Sequence, residues 1–358
     1  MGAQRPSVRN LVLRRARGLS AAITPWNFPV LTPMRKIVPG LAFGDAIVLK
    51  PAADTPAPVG VIADASADTL PAGLLQVLNG DGEVGQGLVA DPGLDGISFT
   101  GSVATSRTIM RPAADNLAEV SVAGMGEKNA VIINDTRDSD ACLDQVVHAA
   151  FVSAGQGCTA ISRVLVVGHL KDTVVNGPVA RANAQVLGPG DAAGTTIGPL
   201  TNRQQRDRVD QLVTDARQGG ADCATGSRRA TPEAAPEGYF FEPTVLTDVD
   251  PANTAFTEES FGPVLSVTPY QRIDQGLALP NASAYGLTAA LFLDDNTVVQ
   301  RFLDEAEPGM LHVNHDTVAD DHMPFGGIKE SGVGAYSVGP SAAKLYATEH
   351  AAYIKAAP

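Results

Sequence analysis

The chain has 358 residues, 44% hydrophobic and 18% charged, which suits about two packed domains and makes no case for disorder. With 26 basic and 39 acidic residues the formal charge is −13, which disfavours nucleic acid and anionic membrane as partners. Cys142, Cys158 and Cys223 form neither a CxxC pair nor a zinc pattern, which argues against a disulfide scaffold and fits a reducing cytoplasm, and no apolar run reaches the length of a membrane helix.

In chain order, the first 44 residues hold no Asp or Glu and carry Arg5, Arg9, Arg14, Arg15, Arg17 and Arg35, a composition shared with transit peptides. That reading loses to Leu19–Ile23, which reads as a short buried strand entering a turn at Pro25. Residues 46–49 read as a strand ending at Lys50-Pro51, and residues 58–67 as a small, apolar helix on a sheet. A strand over 74–78 runs into the turn signal Asn79-Gly80, and a strand over 96–100 leads into Gly101-Ser102. A second series begins near Glu127: buried strands at Ala130–Ile133 and Arg163–Val167 with a helix over 142–152 between them. A loop rich in Gly, Pro and Ala over 225–238 precedes Tyr239, and a strand over Ala347–Lys355 closes the chain. The alternation of strands and helices predicts an α/β fold with largely parallel sheets.

Six segments carry the chemistry. They are Thr24-Pro25-Trp26-Asn27-Phe28-Pro29, Lys50-Pro51-Ala52-Ala53-Asp54-Thr55-Pro56, Ser98-Phe99-Thr100-Gly101-Ser102 and Gly155-Gln156-Gly157-Cys158-Thr159, then Glu258-Glu259-Ser260-Phe261-Gly262-Pro263-Val264 and Pro324-Phe325-Gly326-Gly327-Ile328-Lys329-Glu330-Ser331-Gly332. In this order and spacing the chain resembles the aldehyde dehydrogenase superfamily, and Lys128-Asn129-Ala130 with Cys158-Thr159-Ala160 is most similar to its hydrolytic semialdehyde members. The resemblance implies two interlocked doubly wound parallel-sheet domains with a C-terminal oligomerisation strand. It divides the chain into a cofactor-binding domain at 1–126, a catalytic domain at 127–330 and a C-terminal return at 331–358. It further implies oxidation of an aldehyde with NAD or NADP in a homo-oligomer.

On that resemblance Cys158 is the nucleophile that attacks the carbonyl and forms a thioester, and Asn27 with the Cys158 N–H donates to the oxygen that gains charge. Trp26, Lys50, Ser102, Glu259 and Phe261 are the cofactor residues: Lys50 and Glu259 for the two riboses, Ser102 for the pyrophosphate, Phe261 beside the nicotinamide. Ala53 stands where the family carries an acidic residue, so acceptance of NADP is expected. Ser106 stands where the family often has Gly.

Three departures follow. The family's Glu-x-Gly-Gly-Lys reads Gly124-Met125-Gly126-Glu127-Lys128, which puts Gly124, 34 residues before Cys158, at the place of the water-activating Glu. Glu127 is a doubtful base, read as a solvated or Lys-paired surface carboxylate. The competing consequences are slow deacylation, rescue by Glu259 or Glu127, or transfer to coenzyme A, with impaired or rescued hydrolysis preferred. Rival functions are a catalytically impaired nucleotide-binding fragment and a thiol hydrolase. Second, 23 residues precede Thr24 where the family carries a longer segment. A truncated gene product, a start assigned too late and a need for a second fragment are the readings. The C-terminal strand is then expected to lack its partner, an aggregation hazard. Third, His312 and His315, followed by Asp316, Asp320, Asp321 and His322, are spaced too irregularly for a metal, and none is assigned.

Overall fold

The computed structural model describes residues 8–124, 126–135, 139–336 and 338–355, so Arg5 and Met125 lie outside the described residues. Two compact units emerge: residues 1–123, 321–325 and 334–358 form the first, and 124–320 with 326–333 the second. The mixed α/β architecture with parallel sheets is the expected class.

In the first unit β1 (Val8–Ala16) precedes five parallel strands: β2 (Leu19–Ile23), β3 (Ala46–Lys50), β4 (Leu75–Val77), β5 (Gly96–Phe99) and β6 (Glu119–Ala123). They lie in the order β6-β5-β2-β3-β4, with Ile23 beside both Lys50 and Phe99. The short apolar runs are strands because both faces are covered: Ala21, Ile47, Leu49 and Ile97 are buried. The helix Leu31–Phe43 lies against β3, where Gly40 is needed because a Cβ there would come within 2.5 Å of Ile47 Cδ1. It ends at Gly44, left-handed at φ 95, whose N–H donates to Leu41 O at 3.0 Å.

The strand Ala347–Lys355 is where it was expected, and the expectation that it lacks a partner is corrected. It pairs antiparallel with β1, from Val8 opposite Lys355 to Ala16 opposite Ala347. The preceding helix Ala342–Tyr346 contributes Leu345 and Tyr346 to the core with Ile37, Ile47 and Val59. The Arg17 guanidinium donates to the carbonyls of Lys344, Leu345 and Ala347, which fastens this segment to the start of β2.

The second unit holds β7 (Ala130–Ile133), β8 (Arg163–Val167), β9 (Asp222–Thr225), β10 (Thr244–Thr247), β11 (Val264–Tyr270), β12 (Thr288–Phe292) and β13 (Met310–Val313). Their order is β13-β12-β7-β8-β11-β10-β9, parallel except for the edge strand β9. Val131, Ile132, Val164, Leu165, Leu265 and Val267 form the middle of its core, covered by the helix Ser139–Phe151 through Val146, Val147 and Ala150. Among the described residues no helix is long and apolar enough to cross a membrane.

Candidate active site

In the first unit, the carboxyl ends of three neighbouring strands hold Trp26, Lys50 and Ser102, expected for the cofactor, and Asn27, expected as the oxyanion donor. Trp26 and Asn27 follow β2, Lys50 ends β3, and Ser102 follows β5. Thr24 N–H donates to Lys50 O and Thr100 N–H to Ile23 O, both at 3.1 Å, which ties these carboxyl ends together. The strand order reverses between β2 and β5, and the crevice outside such a reversal is where open α/β sheets bind ligands.

Lys50 is buried and its Nζ donates to Pro51 O at 3.1 Å; burial holds its ammonium below the usual range, and the Asp81 carboxylate works against that. Ser102 is extended (φ −76, ψ 154) and its Oγ accepts from Thr105 N–H at 3.3 Å, so it caps the helix Val103–Asp115. A capped helix N-terminus and a lysine at one sheet edge fit an anionic dinucleotide. Ser106 is buried and donates to Val103 O at 2.6 Å, so its hydroxyl is satisfied within the helix.

In the second unit, Cys158 lies between the helix Ser139–Phe151 and β8. The helix gives way to a turn in which Ser153, Ala154 and Gly155 have φ of 53, 56 and 69. Left-handed backbone costs each of the two non-glycine residues about 1–2 kcal/mol, and such strain persists only where the surroundings enforce it. The surroundings are the Glu258–Val264 motif: a Cβ on Gly155 would lie 2.2 Å from Gly262 O. Glycine therefore lets the nucleophile loop touch the second motif backbone to backbone. Gln156 braces the turn, its Oε1 accepting from Thr201 N–H at 3.0 Å and its Nε2 donating to Ser153 O at 3.1 Å. Cys158 is half-buried, and Asn129 Nδ2 donates to the carbonyls of Cys158 and Ala160, each at 2.9 Å.

Glu127, expected at the surface, is 1% exposed. Its N–H donates to Glu259 Oε1 at 3.0 Å, and its own Oε2 accepts from Asn129 N–H at 3.0 Å and Ser162 Oγ at 3.4 Å. Local sequence could not show this, because what buries the carboxylate comes from β8 and the loop before β11. Burial first, then the Glu259 charge, pushes its carboxyl up to about 8. Lys128 and Arg163 are buried beside it, and burial lowers the Lys128 ammonium to about 8. Gly124 is buried with φ 71 and Gly126 has φ 55, so the segment that carries the family's Glu turns here through left-handed glycines.

The Glu259 side chain is 11% exposed, its Oε2 lies 3.4 Å from Arg208 Nη2, and burial raises its carboxyl above the ordinary value. Phe261 has φ 45 and its carbonyl accepts from Gln205 Nε2 at 2.7 Å. Cys158, Glu127, Glu259 and Phe261 are thus gathered on the loops entering β8, β7 and β11, three adjacent strands of the second unit. Trp26, Asn27, Lys50 and Ser102 are gathered in the first.

The sequence reading gave no role to Asn129, Ser162 and Gln156, which stand inside or just beyond the quoted motifs, and did not name Arg208; for Asn129 the available signal was an Asn just ahead of an apolar strand. His312 and His315 stack with ring centroids 5.9 Å apart, and Thr317 Oγ1 donates to Thr159 O, which fastens this loop next to Cys158.

A model of the aldehyde dehydrogenase family matches residues 1–351. An alpha-ketoglutarate semialdehyde dehydrogenase of Haloferax volcanii is 37% identical over 92% of the chain and 68% of its own length. A probable succinate-semialdehyde dehydrogenase [NADP(+)] of Sinorhizobium fredii is 34% identical over 91% of the chain and 66% of its own. A betaine aldehyde dehydrogenase of Staphylococcus aureus, solved in complex with NAD+, superposes with a TM-score of 0.95 at 31% identity, covering 100% of this chain and 71% of that one. The chain thus spans about two thirds of the length of these curated relatives.

Proposed function

The chain belongs to the aldehyde dehydrogenase family, and on that premise we propose that it oxidises a semialdehyde to the carboxylic acid with NAD or NADP through a thioester on Cys158. The observation that carries this reading is the nucleophile loop. A strained turn, a glycine in backbone contact with Gly262 and two bonds from Asn129 hold a half-buried thiol in place. A cysteine serving only as a small core residue needs none of these.

In the proposed cycle the Cys158 thiolate attacks the aldehyde carbon. The Cys158 N–H and, on the family resemblance, the Asn27 amide are the donors to the oxygen that gains charge. Lys50, Ser102, Glu259, Phe261 and Trp26 are the proposed holders of the nicotinamide cofactor, which when bound supplies the hydride acceptor. Hydrolysis of the thioester needs a base, and Gly124 has no side chain to supply one. Glu259 is the better replacement, because its side chain is 11% exposed whereas Glu127 is 1% exposed. Deacylation is therefore the slow step. Both cofactors are proposed to be accepted because Ala53 offers no carboxylate against a 2′-phosphate; strict NAD specificity in KM comparisons overturns this.

The β1 ribbon leaves Val12, Leu13, Tyr353 and Ile354 exposed, which supports a homo-oligomer, and a reducing cytoplasm suits a thiol nucleophile. The test of the cycle is NAD(P)H formation with short dicarboxylic semialdehydes, with and without coenzyme A. A fast phase and slow turnover to the free acid, indifferent to coenzyme A, is expected. Turnover that requires coenzyme A and yields its thioester overturns the hydrolytic reading.

A further inference from the structure

Glu127 stands where the Glu-x-Gly-Gly-Lys pattern of the family resemblance has its second glycine. Three stretches of the second unit meet at it. Its N–H reaches the Glu259 carboxylate at 3.0 Å, and its Oε2 takes hydrogen bonds from Asn129 N–H at 3.0 Å and the Ser162 hydroxyl at 3.4 Å. Those two donors hold the loop from Cys158 to Arg163, on the C-terminal side of the nucleophile, and the Ser162 hydroxyl shares its proton between Glu127 Oε2 and the Asn129 carbonyl at 3.3 Å. Asn129 holds the Cys158 and Ala160 carbonyls with its amide, receives Thr288 N–H at 3.3 Å on Oδ1, and receives Ser162 N–H and Arg163 N–H on its own carbonyl. Ser162 is 2% exposed and continues the loop into β8.

We propose, resting on the reading of Cys158 as nucleophile, that Glu127 is a positioning residue: its carboxylate fixes Asn129 and Ser162, and through them the placement of the Cys158 loop. It acts through these neighbours and takes no proton from water. A charged carboxylate accepts both hydrogen bonds more strongly than a neutral one, so the grip tightens as Glu127 loses its proton. The charges that face it are Glu259 from the loop before β11, Lys128 from its own segment and Arg163 from β8. With its carboxyl raised to about 8, the change falls in the mildly alkaline range.

The test is the rate of Cys158 alkylation by iodoacetamide, read by mass spectrometry of the Cys158 peptide, in wild type, Glu127→Gln and Ser162→Ala. The reagent needs neither aldehyde nor cofactor, so the result stands even if the dehydrogenase reading fails. The ratio of wild-type to Glu127→Gln rates cancels the thiol titration common to both proteins. Ser162→Ala, which keeps the Glu127 charge, separates the hydrogen bond from the Coulombic effect of that charge on the thiol. Near pH 6, where Glu127 is neutral, the ratio is expected to be close to one; near pH 9.5 it should depart from one by about threefold or more, a part of the roughly tenfold that one charge-assisted hydrogen bond is worth. Ser162→Ala, which removes one of the two donors and keeps the charge, should show a smaller departure of the same sign. Circular dichroism checks that each variant is folded, and Ser162→Ala carries the test alone if Glu127→Gln is not. A ratio independent of pH, in whichever variants fold, overturns the proposal. So does a Glu127→Gln enzyme that alkylates normally and loses only thioester hydrolysis, because that is the signature of a base.

Discussion

Lys36 is 1% exposed, and its Nζ donates to Ser98 Oγ at 2.9 Å. Burial, with Arg35 adding repulsion, draws its ammonium from 10.5 down to about 7. Between these values the unfolded chain holds a proton that the native chain does not, so this residue makes stability rise with pH, and its full cost is felt below pH 7. Lys36→Met should therefore raise Tm most near pH 6 and least near pH 10; a gap that does not change with pH contradicts the burial. Gly124 is a residue-scale case of a different kind. At φ 71, Gly124→Ala should cost about 1–2 kcal/mol, and Gly124→Glu carries the same strain. A melting temperature unchanged in both would remove the left-handed turn from the account. The absence of the family's Glu was legible in the letters, whereas the surroundings of Glu127 were not. Its neighbours Asn129, Ser162 and Glu259 are up to 132 residues away, and no local spacing encodes which of them a side chain meets.

At the scale of elements, the nucleophile loop depends on the close approach of Gly155 to Gly262. Gly155→Ala places a methyl 2.2 Å from the Gly262 oxygen on a backbone at φ 69, so the two motifs must separate. The expected outcome is a stability loss of about 2 kcal/mol or more and a fall in the burst rate of at least about tenfold. A variant with normal burst kinetics contradicts the claim that this contact places Cys158. The buried strands that were read from the sequence were readable because both of their faces are covered and apolar residues run on without a break; Thr244–Thr247, Val264–Tyr270 and Thr288–Phe292 are as buried and were not named. Leu19–Ile23, Ala130–Ile133 and Arg163–Val167 lie where the sequence put them. The strand β1 was missed for the converse reason. Its residues Val8–Ala16 are all partly or fully exposed in a two-stranded ribbon, and their apolar residues amount to the short run Leu11-Val12-Leu13 flanked by Arg and Asn, with no alternating pattern.

At the scale of the whole molecule, the paired ribbon of β1 and Ala347–Lys355 leaves Val12, Leu13, Tyr353 and Ile354 exposed, the surface proposed above for a homo-oligomer contact. Removing residues 347–358 should lower the assembly's mass by light scattering and reduce solubility, because β1 is left as an open edge. An unchanged mass would put the contact elsewhere. Oxidation through Cys158 is read by stopped-flow mixing of enzyme, NAD(P) and a semialdehyde, with mass spectrometry of the quenched protein. The account predicts a burst approaching one NAD(P)H per chain, an acyl group on the Cys158 peptide, and loss of both in Cys158→Ala. A burst that survives Cys158→Ala, or acylation of another residue, would contradict it.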